Sequence, residues 1–449
     1  MRRILDFMKG LSPETKVLLL LLVPIALVIL LHFLATGFII YNDGMGYYVW
    51  VRSIVIDKDL NFSNEWSFYN SSYSKFSNEP RGINAPTEIT PKGYMGNLYP
   101  IGNSVMWAPF FLTAHLASSV LNSLGFPIQA DGYNALYEIA IGAASLVYGF
   151  LGMLLIYKFC RKWFGRRTSL LATIAIWYGT AVFWYNAIEP SLSHTNSLFL
   201  NTLFIYFWHS TLGKRTKIQW LLLGLIAGTI YLVRQQDILI VLLPVFETLK
   251  QLLSKIDFHQ IRKMIAERVM FGLGLLINLF PQMLIWKKTY GSYLLNTYYY
   301  KYYDTGHFEF FRIMENIQNF LTYPSGGMWR MPLLLLSIAG VFLFARKVKG
   351  VAWYFLILAA AQIYLTFSWT GWINGYGIRH LIGISPLLAL GAAEVIQRLR
   401  SVLGTKLTYA ALALLIAANF LNMILVLMAQ VVTKTPIQEI PAILIGMLR

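Results

Sequence analysis

Residues 17–41, VLLLLLVPIALVILLHFLATGFIIY, decide the fold. At about 25 residues this apolar run exceeds the roughly 20 needed to cross a bilayer and the 7–15 of a signal-peptide core. Although Arg2 and Arg3 precede it, it reads as an uncleaved signal-anchor helix. The rest of the chain has the same character. Of its 449 residues 57% are apolar and only 13% charged, against about half and about a quarter in a soluble chain. Mean hydropathy is +0.56. That leaves too little polar surface to wrap a core, which excludes a soluble enzyme, a disordered chain and a coiled coil. The single cysteine, Cys160, excludes an internal disulfide framework.

Further apolar runs near 134–157, 168–187, 191–212, 218–233, 237–249, 268–286, 331–345, 351–370, 380–397 and 407–432 bring the expected spans to about eleven. The expected fold class is therefore an all-α polytopic membrane protein, one transmembrane domain over 1–449. Pro24, Pro244, Pro281 and Pro386 fall inside these runs, where neighbouring helices can satisfy a freed carbonyl.

Orientation follows from Lys and Arg. The connections holding Lys158 to Arg167, Lys214 to Lys217, Lys250 to Arg268, Arg346 to Lys349 and Arg398 to Lys406, with Arg2, Arg3, Lys9 and Lys16, all fall on one side. They carry the whole formal excess of +17, whereas the opposite side balances acids and bases. The charge marks cytoplasmic loops and a cytoplasmic N-terminus rather than a nucleic-acid surface. The run 105–124, VMWAPFFLTAHLASSVLNSL, is apolar enough to span, but a crossing there would put Arg161 to Arg167 outside. It is expected to be an interfacial or re-entrant helix within a long first outer loop, 42–133.

Polar and aromatic residues that are costly near lipid mark function, and their clusters fall on the outer side. Asn42-Asp43-Gly44-Met45-Gly46-Tyr47-Tyr48 puts a carboxylate at the interface, where Asp43 could act as a general base or cap a turn. The two glycines suggest a sharp backbone turn there. Asp57, Asp59 and Glu65 follow, either supporting Asp43 or simply solvated. Glu189 and His194 flank Pro190-Ser191-Leu192-Ser193; a lone pair of this kind falls short of a metal site. Arg234, in Arg234-Gln235-Gln236-Asp237, suits a phosphate or a local pair with Asp237. In 369–380, WTGWINGYGIRH, Trp372 and Tyr376 read as a pocket wall, and Arg379 as the leading phosphate ligand. The loop 287–330 is tyrosine-rich, with Tyr298–Tyr300, Tyr302 and Tyr303, and ends in Ser325-Gly326-Gly327. Its rings could line a carbohydrate groove or form an interfacial belt.

In this order the clusters resemble the GT-C superfamily of membrane glycosyltransferases, in the branch of protein O-mannosyltransferases and the lipid A aminoarabinose transferase. The resemblance rests on Asp43, Gly44 and Tyr47; Arg52, Ser53, Ile54, Asp57 and Asp59; Tyr99-Pro100-Ile101-Gly102 with Ala108-Pro109-Phe110; Ser193-His194; Ser325-Gly326-Gly327; and Trp372, Gly375-Tyr376-Gly377 and Arg379. It implies a polyprenyl-phosphate-linked sugar donor, transfer with inversion on the extracytoplasmic side of a bacterial or archaeal cell membrane, and Asp43 as catalytic base. Two departures stand out. Where the O-mannosyltransferases pair two acids, this chain has Asn42-Asp43, leaving Glu189 or Asp59 as the second carboxylate. No sizeable outer domain follows the last apolar run, so the loops are expected to recognise the acceptor, be it glycan, lipid or protein. No cofactor is certain from the residues, and a divalent metal is left open without a ligand set to support it. The alternative from another class is a lipid-linked-sugar flippase or transporter, which calls for internal symmetry and midplane charges.

Overall fold

The computed structural model of the chain describes residues 10–72, 81, 89–254, 257–295, 308–322, 331–373 and 375–434. Its regular elements are helices, and the only β pairing among the described residues is two isolated bridges. In chain order they are α1 (Pro13–Thr36, bent at Leu21), α2 (Asp43–Arg52), α3 (Ser63–Ser71), α4 (Gly102–Ser123), α5 (Ala135–Cys160), α6 (Arg166–Gly179), α7 (Ala181–Ala187) and α8 (His194–Thr211). Then come α9 (Lys217–Val233), α10 (Leu242–Leu252), α11 (Phe258–Tyr290), α12 (Ile313–Thr322), α13 (Pro332–Val348), α14 (Val351–Ser368) and α15 (Ser385–Lys434). Six stretches are long and apolar enough to cross a bilayer: α1, α4, α5, α11, α14 and the Arg379–Met428 stretch that holds most of α15. With the composition, these make the chain an integral membrane protein.

All eleven expected runs fall on helices, yet length and composition alone pick out six crossing stretches, because some helices are short, α9 and α13 at 17 residues each, and other runs are broken. The run 168–187 stops at Thr180, whose hydroxyl caps α7. The run 237–249 begins as a 3-10 segment, Gln235–Val241. The runs 380–397 and 407–432 form one element that reverses at Gly404 (φ 75°, ψ 172°). Pro24, Pro244 and Pro386 stand in the first turn of their helical segments, where no amide donor is needed. They set helix starts rather than interrupt helices; Pro281 in α11 and Pro109 in α4 are the interior ones.

The bundle is knitted by small residues, as expected where apolar burial does not itself drive association. Gly224 and Gly228 of α9 abut the backbone of Phe271 and Leu275, and Gly274 of α11 abuts Leu221 and Leu225. The register rises together on both, so α9 and α11 run parallel. Gly340 of α13 meets Gly391 of α15 in the same way. α4 is an unbroken helix of 22 residues. It lies antiparallel to the first half of α5, with Tyr148 donating to the Met106 carbonyl (2.8 Å) and Asn134 to Ser118 Oγ (3.0 Å). Its start and the turn after its end both bond to α2, through Ser104 to the Tyr47 carbonyl and Tyr48 to the Gly132 carbonyl.

One buried clamp fixes how the chain leaves α1. Glu138 of α5 accepts the backbone amides of Ile39 and Ile40, each at 2.8 Å, and pairs with Arg81, which donates to the Ile40 carbonyl. Arg2, Arg3, Lys9 and Lys255 from the orientation argument lie outside the described residues, as do Tyr298–Tyr300, Tyr302, Tyr303 and Ser325-Gly326-Gly327.

Candidate active site

Apart from the reversal at Gly404, the helix breaks lie at one end of the bundle, around α2. Irregular backbone at membrane depth survives only where protein or a watered cavity satisfies it, and here side chains do so. Asp43 is the first residue of α2, after Asn42 in a left-handed conformation (φ 50°). Gly44 and Gly46 do not make the sharp turn that the sequence suggests; both lie within the helix, and their role is close approach. A Cβ on Gly44 would strike Ser191, and one on Gly46 would enter the ring of Tyr99. That absence of side chain lets Tyr99 lie across the first turn and donate its hydroxyl to Asp43 Oδ1 at 2.8 Å. The other oxygen, Oδ2, faces Arg379 Nη1 at 3.5 Å. The two side chains keep 31% and 19% of their surface open, and Arg379 Nε has no partner.

Arg379 arrives from a tightly pinned turn. Gly375 (φ 83°) and Gly377 (φ 63°) adopt left-handed backbone that other residues rarely reach. Between them the Tyr376 amide donates to Tyr185 Oη (3.0 Å), and the Tyr185 hydroxyl donates to the Tyr376 carbonyl (3.1 Å). The Tyr376 ring stacks on Trp184 at 4.5 Å, and its hydroxyl donates to Asn419 Oδ1 at 2.8 Å. Tyr376, expected as a wall of the donor pocket, is 1% exposed and packs inward as an anchor for the turn. Trp372 lies in the 3-10 turn Thr370–Ile373, and its side chain is outside the described structure.

Arg234 ends α9 beside this centre. It donates through Nη1 to His194 Nδ1 (2.5 Å) and through Nη2 to His380 Nδ1 (2.9 Å), and its Nε lies 3.8 Å from Asp237 Oδ2. A guanidinium can only donate, so both facing nitrogens are unprotonated and both rings neutral. Of the two expectations for Arg234, the pair with Asp237 is the one that forms, and Asp237 is also held by Ser197 and Asn201. Tyr47 bonds Ser193 at 3.3 Å.

Glu189 sits between α7 and α8 and accepts from Trp184 Nε1 at 3.0 Å. Burial pushes its carboxyl above the usual range, against the pull of the Trp184 hydrogen bond and of Arg379, while the charge of Asp43 adds to the rise. Asp57, Asp59 and Glu65 do not join Asp43. Arg52 Nη1 holds Asp57 at 2.5 Å and Glu65 at 2.8 Å, and Ser53 donates to Asp59 at 2.7 Å. Asp57 and Glu65 anchor the loop after α2 because Arg52, at the far end of that helix, offers them a cation, and Asp59 is held there by the Ser53 hydroxyl. Sequence reading gave no part to His380, nor to Tyr99 as the partner of Asp43; for Tyr99 the available signal was a tyrosine hydroxyl beside the Pro100-Ile101-Gly102 helix start.

No family model and no curated protein matches the chain. Among solved structures it is similar to ArnT from Cupriavidus metallidurans in the apo state, at 12% identity and a TM-score of 0.49 over 85% of this chain. It is similar also to the archaeal oligosaccharyltransferase AglB from Archaeoglobus fulgidus in complex with an inhibitory peptide and a dolichol-phosphate (12%, TM-score 0.43, 93% of this chain). The apo form of the Archaeoglobus fulgidus oligosaccharyltransferase gives 13% identity and a TM-score of 0.43 over 91% of this chain. The chain spans 59%, 56% and 54% of the lengths of these three proteins.

Proposed function

We propose that the chain is a glycosyltransferase that moves a sugar from a polyprenyl-phosphate-linked donor to an acceptor hydroxyl, with inversion, on the extracytoplasmic side of the membrane. The observation that carries this reading is the meeting of Asp43 with Arg379, two residues from opposite ends of the chain, in a part-open site where Tyr99 orients the carboxylate. The donor phosphate takes Arg379, whose Nε is without a partner, and Asp43 Oδ2 turns to the acceptor. As the acceptor oxygen bonds to the anomeric carbon, its proton passes to Asp43 and the carbon–oxygen bond to the lipid phosphate breaks. Arg379, with Arg234 nearby, stabilises the charge that grows on that phosphate. Neutral His194 and His380 hold Arg234 without competing for the anion. Glu189 is the second carboxylate of the site.

The test is transfer or release of labelled sugar from a polyprenyl-phosphate donor by the purified chain in detergent. General-base help is worth about 10²–10⁴-fold, so Asp43→Asn should lower turnover by that factor with donor binding retained. Full turnover in that variant removes Asp43 from the reaction, and donor translocation across vesicles without transfer would establish a flippase instead.

A further inference from the structure

A cavity far from Asp43 lies at the basic end of the bundle. It encloses about 620 Å³ between the starts of α9 and α11 and the end of α10. We propose that it binds the phosphate of an anionic phospholipid headgroup.

The floor is closed by charges that satisfy one another. Arg215 pairs with Glu247 at 2.9 Å and Arg268 with Glu267 at 3.2 Å. Both guanidinium groups also stack on Trp220, at 4.2 and 3.9 Å from its ring centre. The mouth is different. Lys214, Lys217 and Lys263 line it, all exposed, and none forms an ion pair among the described residues. Three ammonium groups therefore face a cavity whose own carboxylates are already taken. Because α9 and α11 run parallel, their N-termini open together at this end, each capped through a reciprocal Thr216–Gln219 or Asp257–Gln260 box. Two positive helix ends then reinforce the lysines.

Chemistry at the rim selects a lipid over a free anion. Ile218, Leu253 and Phe258, chain neighbours of lining residues, are 67%, 89% and 81% exposed. A headgroup phosphate in the cavity would leave its acyl chains beside these side chains, whereas a soluble phosphate leaves them bare. Basic pockets at the ends of membrane helices bind anionic headgroups by this combination of charge and depth.

The test needs no glycosyl transfer, so it stands apart from the reading of the Asp43 site. The full chain in detergent is titrated with phosphatidylglycerol, phosphatidylcholine or inorganic phosphate, and binding is followed by native mass spectrometry and thermal shift. Phosphatidylglycerol should bind in preference, and Lys214→Gln with Lys217→Gln and Lys263→Gln should weaken it about a hundredfold, at roughly 1 kcal/mol per lysine. The corresponding Lys→Arg triple should restore binding, and a control triple of equal charge loss, Lys158→Gln with Lys349→Gln and Lys406→Gln, should leave it intact. Equal loss in both Gln triples would reduce the effect to diffuse attraction and overturn the proposal. So would equal binding of phosphatidylcholine, or protection by inorganic phosphate that matches that by phosphatidylglycerol.

Discussion

Two arginines, one near each end of α2, show how differently a guanidinium can be held. Arg52 is 6% exposed and fully engaged: Asp57, Glu65, the Asp131 carbonyl at 2.9 Å and the Tyr133 ring at 4.2 Å surround it. Arg379 is 19% exposed, makes one ion pair at 3.5 Å and leaves Nε unbonded. Both are buried enough for their charge to be costly. Arg52 offsets that cost with several internal partners, Arg379 with the single ion pair to Asp43.

The contrast breaks if the two respond alike to mutation. Arg52→Ala strands a buried carboxylate, so it should cost about 3–5 kcal/mol of stability, seen as a lowered melting temperature in detergent before any assay of transfer. Arg379→Lys should do the reverse. It keeps the charge and loses the planar fork, so turnover should fall about 10²–10³-fold, in the range of a lost transition-state donor, while the melting temperature stays near wild type. A large stability loss in Arg379→Lys would make it scaffold as well.

Glu65 gives a smaller, sharper measure. It shares one guanidinium nitrogen with Asp57, and burial pushes its carboxyl up to about 7 from 4.5 against the pull of Arg52. Being raised in the folded protein, it binds its proton more tightly there, so its contribution is full below the unfolded value and fades as pH climbs through about 7. Wild-type melting temperature should therefore drop between about pH 5 and about pH 8, and Glu65→Gln should flatten that part of the profile. An unchanged slope in the variant would assign the pH dependence elsewhere.

Much of the architecture was legible because composition answers to lipid: apolar runs locate the helices, and charge separates the two ends. Asp43 and Arg379 were legible singly, as costly polar residues among glycines and aromatics. Their partners were not. Whether Asp57 and Glu65 serve Asp43 or Arg52 depends on how a loop folds back, and spacing does not encode that. Tyr376 reads as a pocket wall in the sequence because it stands beside glycines; Asn419, which claims its hydroxyl, lies on the far arm of α15. The Glu138–Arg81 clamp escaped for the same reason, since Glu138 looks like an ordinary first-turn acid. The number of crossing helices resisted because the runs nearest the site are interrupted where side chains replace the backbone ladder.

The wedging of Arg234 between two unprotonated rings has a cost under acid conditions. A proton gained by either imidazole at Nδ1 turns an acceptor into a donor aimed at a donor, so the arginine must swing away. Activity should then vanish reversibly on acidification, cooperatively with the loss of anion affinity. Replacing both His194 and His380 by Gln, whose carbonyl accepts at any pH, should move that inactivation to lower pH; an unmoved midpoint would mean the rings play no part in it.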